Sequence, residues 1–109
     1  MADFLITIKK RSTFVHVKDH GKFIRSSSFN LQILEDLQLE EVIAVGYSAT
    51  KRLGNAVVRN KSKRIMRELA RKVIIKYGKI NFYYVLIAKN KLLTTTFKEL
   101  ELELEKIIK

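Results

Sequence analysis

Residues 42–88 decide the fold of this chain, and they read VIAVGYSATKRLGNAVVRNKSKRIMRELARKVIIKYGKINFYYVLIA. The first part, Val42–Ser48, is apolar and partly β-branched, which predicts a buried strand. The middle, from Asn55 to about Lys76, has apolar residues at helical spacing and predicts a long helix. The last part, Ile80–Ala88, is rich in aromatic and β-branched residues and is the strongest strand candidate in the chain.

The segments before this stretch predict one helix and two strands. Ser12–His20 has the pattern of a short helix, with Ser12 placed to cap it and Gly21 following its end. Phe23–Arg25 and Ser28–Leu34 predict two strands, and the second alternates cleanly between its two faces.

The C-terminal segment, Phe97–Lys109, fits two patterns. Its leucines alternate with glutamates as in a strand, but Phe97, Leu100 and Leu104 also share one helical face. Thr96 and Glu99 form a capping box, which favours a helix with Leu102 exposed. The order α-β-β-β-α-β-α then predicts an α+β sandwich of one layer pair, with residues 1–109 as a single domain.

Composition points to a polyanionic partner, because 22 Lys and Arg against 11 Asp and Glu give a net charge of +11. The absence of cysteine excludes disulfide scaffolds, cysteine zinc sites and thiol catalysis. No apolar run approaches the roughly 20 residues of a membrane-spanning helix. The N-terminal charges follow the first apolar patch, whereas in a signal peptide they precede it. We therefore expect a soluble cytoplasmic protein with no membrane partner.

The predicted long helix separates apolar residues from cations when it is projected at 100° per residue. The expected buried stripe consists of Val58, Ile65, Leu69 and Val73. The opposite side carries what we call the basic stripe: Asn60, Lys63, Arg64, Arg67 and Arg71. Arg59 and Lys61 flank the two groups.

Two interpretations of the basic stripe are open, a merely solvated helix or a helix that binds phosphates. Residues 51–76 hold ten of the 22 basic groups and one acid, Glu68, which lies off the stripe. Like charges at i, i+3 and i, i+4 repel, and solvated helices usually interleave acids to relieve this. The preceding turn adds Lys51, Arg52 and Gly54 at a helix N-terminus, where free N–H groups suit an anion. Phosphate binding is therefore favoured, although charge alone does not separate DNA from RNA.

The run from Thr50 to Glu68, TKRLGNAVVRNKSKRIMRE, closely resembles the signature of the protein subunit of bacterial ribonuclease P. That family has a basic pair, then Gly-[Asn/Lys]-Ala-Val-x-Arg-Asn-Arg, then x-Lys-Arg-x-x-Arg. The order of the predicted elements and the total length also match. The resemblance implies a βαβ unit with a left-handed crossover, against the general preference for right-handed ones.

The resemblance also implies the function. The protein would bind ribonuclease P RNA and the 5′ leader of precursor tRNA, and would assist endonucleolytic removal of that leader. The RNA subunit would perform the hydrolysis with Mg²⁺, so no catalytic residue, metal or cofactor is expected on the protein, which would join the RNA as one monomer. The RNA-binding residues implied are Lys51, Arg52, Arg59, Asn60, Lys61, Lys63, Arg64, Arg67 and Arg71.

In the family a cleft on the sheet receives the single-stranded leader. The matching positions here are Phe14, Lys18, Asn30 and Gln32. The last three are polar where relatives tend to have apolar or aromatic residues, so we expect this cleft to rely more on hydrogen bonds and charge. Lys61 stands where the family usually has arginine, which removes a planar fork suited to phosphate. Phe14 could instead be a core residue of the first helix, and that alternative stays open.

Two other functions compete with this one. His16 and His20 could share a helix face and act as an acid–base pair or as metal ligands in a nuclease, but no carboxylate cluster accompanies them in the sequence. We therefore interpret them as surface histidines. The other alternative is a ribosomal protein or general RNA-binding module, which would share the basic helix but not the specific spacing of its residues.

Overall fold

A five-stranded mixed sheet organises residues 4–109, the part of the chain that the computed structural model describes. The strands are β1 (Leu5–Thr7), β2 (Lys22–Arg25), β3 (Phe29–Glu35), β4 (Ile43–Ser48) and β5 (Phe82–Ala88). They lie in the order β1-β4-β5-β3-β2. The β1–β4 and β4–β5 pairs are parallel, and the β3–β5 and β2–β3 pairs are antiparallel.

The helices are α1 (Arg11–His20), α2 (Ala56–Leu69), α3 (Ile75–Tyr77) and α4 (Phe97–Ile108). A π-helical segment, Ala70–Ile74, joins α2 to α3, and we call residues 56–77 the long helix. Short 3₁₀ turns occupy Leu37–Leu39, Lys51–Leu53 and Asn90–Thr94. The α+β fold class is confirmed, and so is a long helix between the parallel strands β4 and β5. The left hand of this crossover stays a prediction.

Helices cover both faces of the sheet, whereas the sequence predicts one layer pair. The long helix and α4 pack on the face that carries Phe29, Leu31 and Leu86. The other face carries Ala44 and Val85, and α1 covers it with Phe14 and Val17. A second cover is needed because β4 and β5 are apolar on both of their faces.

Strand β1 is absent from the sequence prediction, which recognises only a short apolar patch at Phe4-Leu5-Ile6. Its three residues give no usable period, and its position comes from tertiary pairing, with Leu5 opposite Ile43. Thr7 pairs with Val45, so β4 continues past the end of β1 and leaves one edge free over Tyr47 and Ser48. Around this free edge, one face of the sheet is continuous with the other.

The ends of α1 differ from the prediction. The helix begins at Arg11, and Lys10 occupies the N-cap without a side-chain hydrogen bond, so the predicted cap at Ser12 is wrong. Gly21 follows the helix as predicted, although its φ of −89° is not left-handed. A Cβ at Gly21 would lie 2.6 Å from the carbonyl oxygen of Val17, so glycine is required there by a close backbone approach.

The long helix begins as predicted, with Asn55 as its N-cap. The Asn55 side-chain oxygen accepts a hydrogen bond from the Val58 N–H at 3.0 Å. Gly54 has a φ of 153°, a conformation that residues with a Cβ rarely adopt, so it makes the turn that starts this helix. The helix ends at Tyr77, before Gly78.

The buried side of the long helix is rotated about the helix axis from the predicted stripe. Leu69 and Val73 are buried as predicted, but Val58 and Ile65 are only half-buried. Other residues complete the buried side: Ser62, Met66, Ala70 and Ile74. The Ser62 hydroxyl is satisfied inside the helix, because it donates to the Val58 carbonyl oxygen at 3.0 Å.

The C-terminal segment is a helix, as the capping box at Thr96 and Glu99 predicts. Leu100 and Leu104 are buried and Leu102 is 51% exposed, which confirms the predicted helical phase. One glutamate of this helix, Glu103, is bound within the protein and not only solvated. Its Oε2 accepts hydrogen bonds from the Ser26 hydroxyl and, at 2.8 Å, from the Ser28 N–H. Glu103 therefore anchors α4 to the turn between β2 and β3.

Candidate RNA interface

The structure brings the basic stripe to the surface of the long helix. Asn60, Arg64 and Arg67 are exposed, as are Lys61 beside them and Arg71 one turn further on. Lys63 is half-buried because it lies at the border of the rotated buried side. The stripe is thus a largely exposed cationic ridge along the long helix.

Arg59 has an unsatisfied polar atom. This residue is half-buried, and its Nε is buried without a hydrogen-bond partner. A buried guanidinium N–H without a partner is costly, so this position is a local weakness of the fold. The sequence places Arg59 at the flank of the stripe, and its partial burial agrees with that position.

Tyr47 supports the middle of the stripe, a role that sequence reasoning did not assign. The Arg67 guanidinium carbon lies 5.6 Å from the Tyr47 ring centroid, which holds the cation over the ring. Burial raises the pKa of Tyr47, and the positive charges of Arg67 and Arg71 partly oppose this. The phenol therefore stays neutral at physiological pH. The sequence does contain a signal for this role, because Tyr47 is a large aromatic residue at the end of a predicted buried strand, directly before the basic motif.

Arg71 is the least available member of the stripe. Its Nη1 donates to Glu68 Oε1 at 2.7 Å. Glu68 lies off the stripe at 100° per residue, but residues three apart on a helix are neighbours, so it still pairs with Arg71. The pair is exposed, so it adds little stability, but it lowers the charge that Arg71 presents to a polyanion.

The turn before the long helix contributes cations of its own. Lys51 and Arg52 are both exposed on the turn Lys51–Leu53. Arg52 lines a recess of about 400 Å³ together with Lys89 and Lys91, which follow β5. Sequence reasoning missed these two lysines, since they lie far from the basic motif along the chain. The parallel pairing of β4 with β5 brings the ends of both strands to this recess.

A groove of about 450 Å³ runs between α1 and the sheet on the face opposite the long helix. It is lined by Arg11, Phe14, Val15, Lys18, Gln32, Ser48, Thr50, Val85 and Ile87. Three of the four predicted cleft residues are therefore brought together here: Phe14, Lys18 and Gln32. The fourth, Asn30, lies next to the groove, where its Oδ1 accepts a hydrogen bond from the Ser26 N–H at 3.4 Å.

Phe14 serves the core and the groove at once. A Cβ on Gly46 would lie 2.6 Å from a carbon of the Phe14 ring, so glycine at 46 makes room for this ring on the sheet. Phe14 packs with Val17 and Ala44, yet it stays half-buried and lines the groove. The two alternatives left open by the sequence are thus both partly correct.

A second recess, of about 370 Å³, connects the groove with the basic stripe. It shares Arg11, Phe14 and Ser48 with the groove. Its other lining residues include Tyr47 and Lys63, which belong to the side of the long helix. The connection passes around the free edge of β4, where β1 has ended. A polyanion can therefore contact cations continuously from the ridge to the groove.

The two histidines form a small surface cluster. Their ring centroids lie 5.0 Å apart, and His16 Nε2 is 3.5 Å from Asp36 Oδ2. Over residues 4–109, no group of three or more His, Asp or Glu side chains is arranged to hold a metal ion. Within the same range, no helix is long and apolar enough to cross a membrane.

Comparison with known proteins agrees with this geometry. The sequence model of the family described as Ribonuclease P matches residues 5–109. The chain belongs to the ribonuclease P protein family. The family binds RNA and takes part in tRNA processing. The family match covers nearly the whole chain, so it includes the motif, the long helix and both faces of the sheet.

Relatives and solved structures in this family give the degree of similarity. The ribonuclease P protein component of Gluconacetobacter diazotrophicus is 39% identical over 75 residues, which are 67% of this chain and 62% of that protein. The chain thus covers less than two thirds of that relative. The component from Nitratiruptor is 32% identical over 108 residues, covering 94% of this chain and 88% of the relative.

Two solved structures share the fold. The Staphylococcus aureus RNase P protein has a TM-score of 0.77 and 27% identity, covering 93% of this chain and 90% of that one. The Thermotoga maritima RNase P protein has a TM-score of 0.79 and 21% identity over 94% of both chains, which speaks for the fold alone.

Proposed function

We propose that this chain is the protein component of a ribonuclease P, which binds the catalytic RNA through its basic stripe and holds the 5′ leader of precursor tRNA in the groove. Family membership supports the association with ribonuclease P RNA. The observation that carries the proposal is the continuous path from the stripe to the groove around the edge of β4. One protein can then touch a folded RNA and a single strand at the same time.

The two ends of this path suit different RNA structures. The stripe offers Arg and Lys side chains on an exposed ridge, which suits the phosphates of a folded RNA. The groove between α1 and the sheet is lined by the Phe14 ring, the Gln32 amide and the Lys18 ammonium. Aromatic and amide groups in a cationic groove suit the unpaired bases of a single strand. The substrate is therefore proposed to be precursor tRNA, with its leader in the groove.

The proposal assigns hydrolysis to the RNA subunit. The acid–base candidates, His16 and His20, are exposed on α1, and their carboxylate neighbour is Asp36. This donor set is too small for the oxygen-rich coordination that Mg²⁺ prefers. We therefore propose that the RNA holds the Mg²⁺ and that the protein positions substrate. One monomer would act with one RNA in the cytoplasm.

A reconstitution experiment tests this function. The protein is added to a bacterial ribonuclease P RNA at low Mg²⁺, and cleavage of precursor tRNA at the 5′ end of the mature sequence is measured. We expect the protein to restore cleavage, because its cations lower the repulsion between the RNAs that Mg²⁺ otherwise screens. Binding without restored cleavage would instead support a general RNA-binding module, the alternative that family membership disfavours.

Replacing both histidines tests the division of labour. His16→Ala combined with His20→Ala should leave holoenzyme turnover at saturating substrate nearly unchanged, because the chemistry is assigned to RNA. The measurement is single-turnover cleavage with assembly verified by gel shift. A loss of about a thousandfold or more at unchanged assembly would show that the polypeptide supplies acid–base groups.

A further inference from the structure

Phe23 is an exposed aromatic residue with no packing role. It lies on the edge strand β2, is 50% exposed, and belongs to neither hydrophobic cluster of the molecule. Its neighbour Ile24 points to the opposite face and packs against the core. Burial therefore does not explain an aromatic side chain at position 23.

Strand register puts Phe23 on the face of the groove. Phe23 pairs with Gln32, Gln32 pairs with Val85, and Val85 pairs with Gly46. Residues opposite each other in a sheet share a face. The row therefore runs across the groove floor, with the Phe14 ring above Gly46 at one end and Phe23 at the other. At about 4.8 Å per strand, the row spans about 14 Å, which leaves space for more than one nucleotide between the two rings.

The charges along this face favour a nucleic acid strand over an apolar peptide. Arg25 stands two residues from Phe23 on the same face, and its cross-strand partner is Asn30. Arg11 and Lys18 line the groove, and no carboxylate is among its lining residues in the described chain. An exposed ring flanked by cations is the arrangement that binds single strands by stacking and phosphate contact.

We propose that Phe23 and Arg25 extend the groove to the β2 edge of the sheet and form the outer contact for the single-stranded leader. Phe23 stacks on a base that has left the groove, and Arg25 contacts a phosphate beside it. Phe23 thus supplies an aromatic surface that Lys18, Asn30 and Gln32 do not provide. This inference rests on the proposed function, because it needs precursor tRNA as the substrate.

Affinity measurements with matched variants test the inference. Phe23→Ala should weaken holoenzyme binding of leader-bearing precursor tRNA by about 5-fold or more, within the range of one lost base–aromatic stack, and leave mature tRNA binding unchanged. Phe23→Tyr should restore the affinity. Leu102→Ala is the control, because Leu102 is equally exposed but lies on α4, which covers the opposite sheet face.

Fluorescence gives a direct readout, because the chain has no tryptophan. In Phe23→Trp, leader-bearing precursor tRNA should quench the tryptophan emission, whereas in Leu102→Trp it should not. Leaders shortened to a single nucleotide should lose the quenching in Phe23→Trp, because the strand no longer reaches the β2 edge.

The outcomes separate this inference from the function on which it rests. If the wild-type protein restores cleavage at low Mg²⁺ but Phe23→Ala binds both tRNAs like wild type, the outer contact is refuted and the function stands. Equal losses for precursor and mature tRNA also refute it. If the wild-type protein restores no cleavage, the function itself fails.

Discussion

The long helix and α4 pack against the same face of the sheet, yet the long helix is strongly basic whereas α4 has four glutamates and two lysines. The long helix buries Met66 and Leu69, and α4 buries Leu100 and Leu104. Outside, the long helix carries the basic stripe, whereas α4 carries glutamates. The apolar period alone decides how each helix packs, so the outward residues are free to differ. Residues proposed to bind RNA on these helices are therefore sought on the outward face.

The charges of the two helices also differ in what they bind. Glu103 of α4 accepts two hydrogen bonds from the β2–β3 turn, so its charge is used inside the protein. On the stripe, Arg71 pairs with Glu68 and Arg67 lies over Tyr47, while Arg59 has a buried Nε without a partner. The glutamate holds the fold together, whereas most of the cations remain available to an external anion.

The largest expected effect is on the buried side of the long helix. Leu69→Ala should lower the free energy of unfolding by about 2–5 kcal/mol, because the fully buried side chain leaves a cavity. Urea melts measure the loss. Leu102→Ala on α4 is the control and should change stability by about 0.5 kcal/mol or less. If the two variants ranked in reverse, the helical phases described above would be wrong.

A smaller loss is expected at the glutamate that anchors α4. Glu103→Gln should lower the free energy of unfolding by about 1–3 kcal/mol, since hydrogen bonds to a charged acceptor are replaced by weaker ones. Glu101→Gln on the same helix is the matched control and should be close to wild type. Equal effects of the two substitutions would mean that the hydrogen bonds of Glu103 do not stabilise the fold and that its charge, like those of the stripe, acts only at the surface.

The smallest effect on stability is expected on the stripe itself. Arg64→Ala should change the free energy of unfolding by about 0.5 kcal/mol or less. It should weaken binding to ribonuclease P RNA and reduce the slope of log affinity against log salt by somewhat less than one unit, the share of one phosphate contact. Lys106→Ala on α4 removes the same charge and should leave both quantities unchanged. An equal loss in Lys106→Ala would show that net charge, and not the stripe, determines binding.

The sequence predicts the elements that carry their own local signal. The Thr96–Glu99 capping box locates one helix start, the apolar spacing from Asn55 predicts the long helix, and the aromatic run of β5 identifies a central strand. These features depend on residues three or four apart, or on alternation. The family motif then predicts the RNA-binding residues, most of which the structure places on the long helix.

The features that the sequence misses depend on distant contacts. The three residues of β1 form a strand only because they pair with the edge of β4, where Leu5 lies opposite Ile43. The π-helical segment Ala70–Ile74 shifts the phase of the long helix, which a wheel at constant angle does not include. Lys89 and Phe23 join the candidate site through the pairing of distant strands, and no local pattern marks them.

The strand order has a consequence for the way the protein is made. The pairs β1–β4 and β2–β3 touch each other only through β5, which is the last strand to be synthesised. Ribosomal synthesis therefore exposes the stripe of the long helix before the sheet beneath it can close. Only the β2–β3 hairpin is local, whereas Leu31 meets Leu86 and Ile43 meets Phe82 across long stretches of chain. Such contacts slow folding, so the nascent chain acquires its core only when residues 82–88 have left the ribosome.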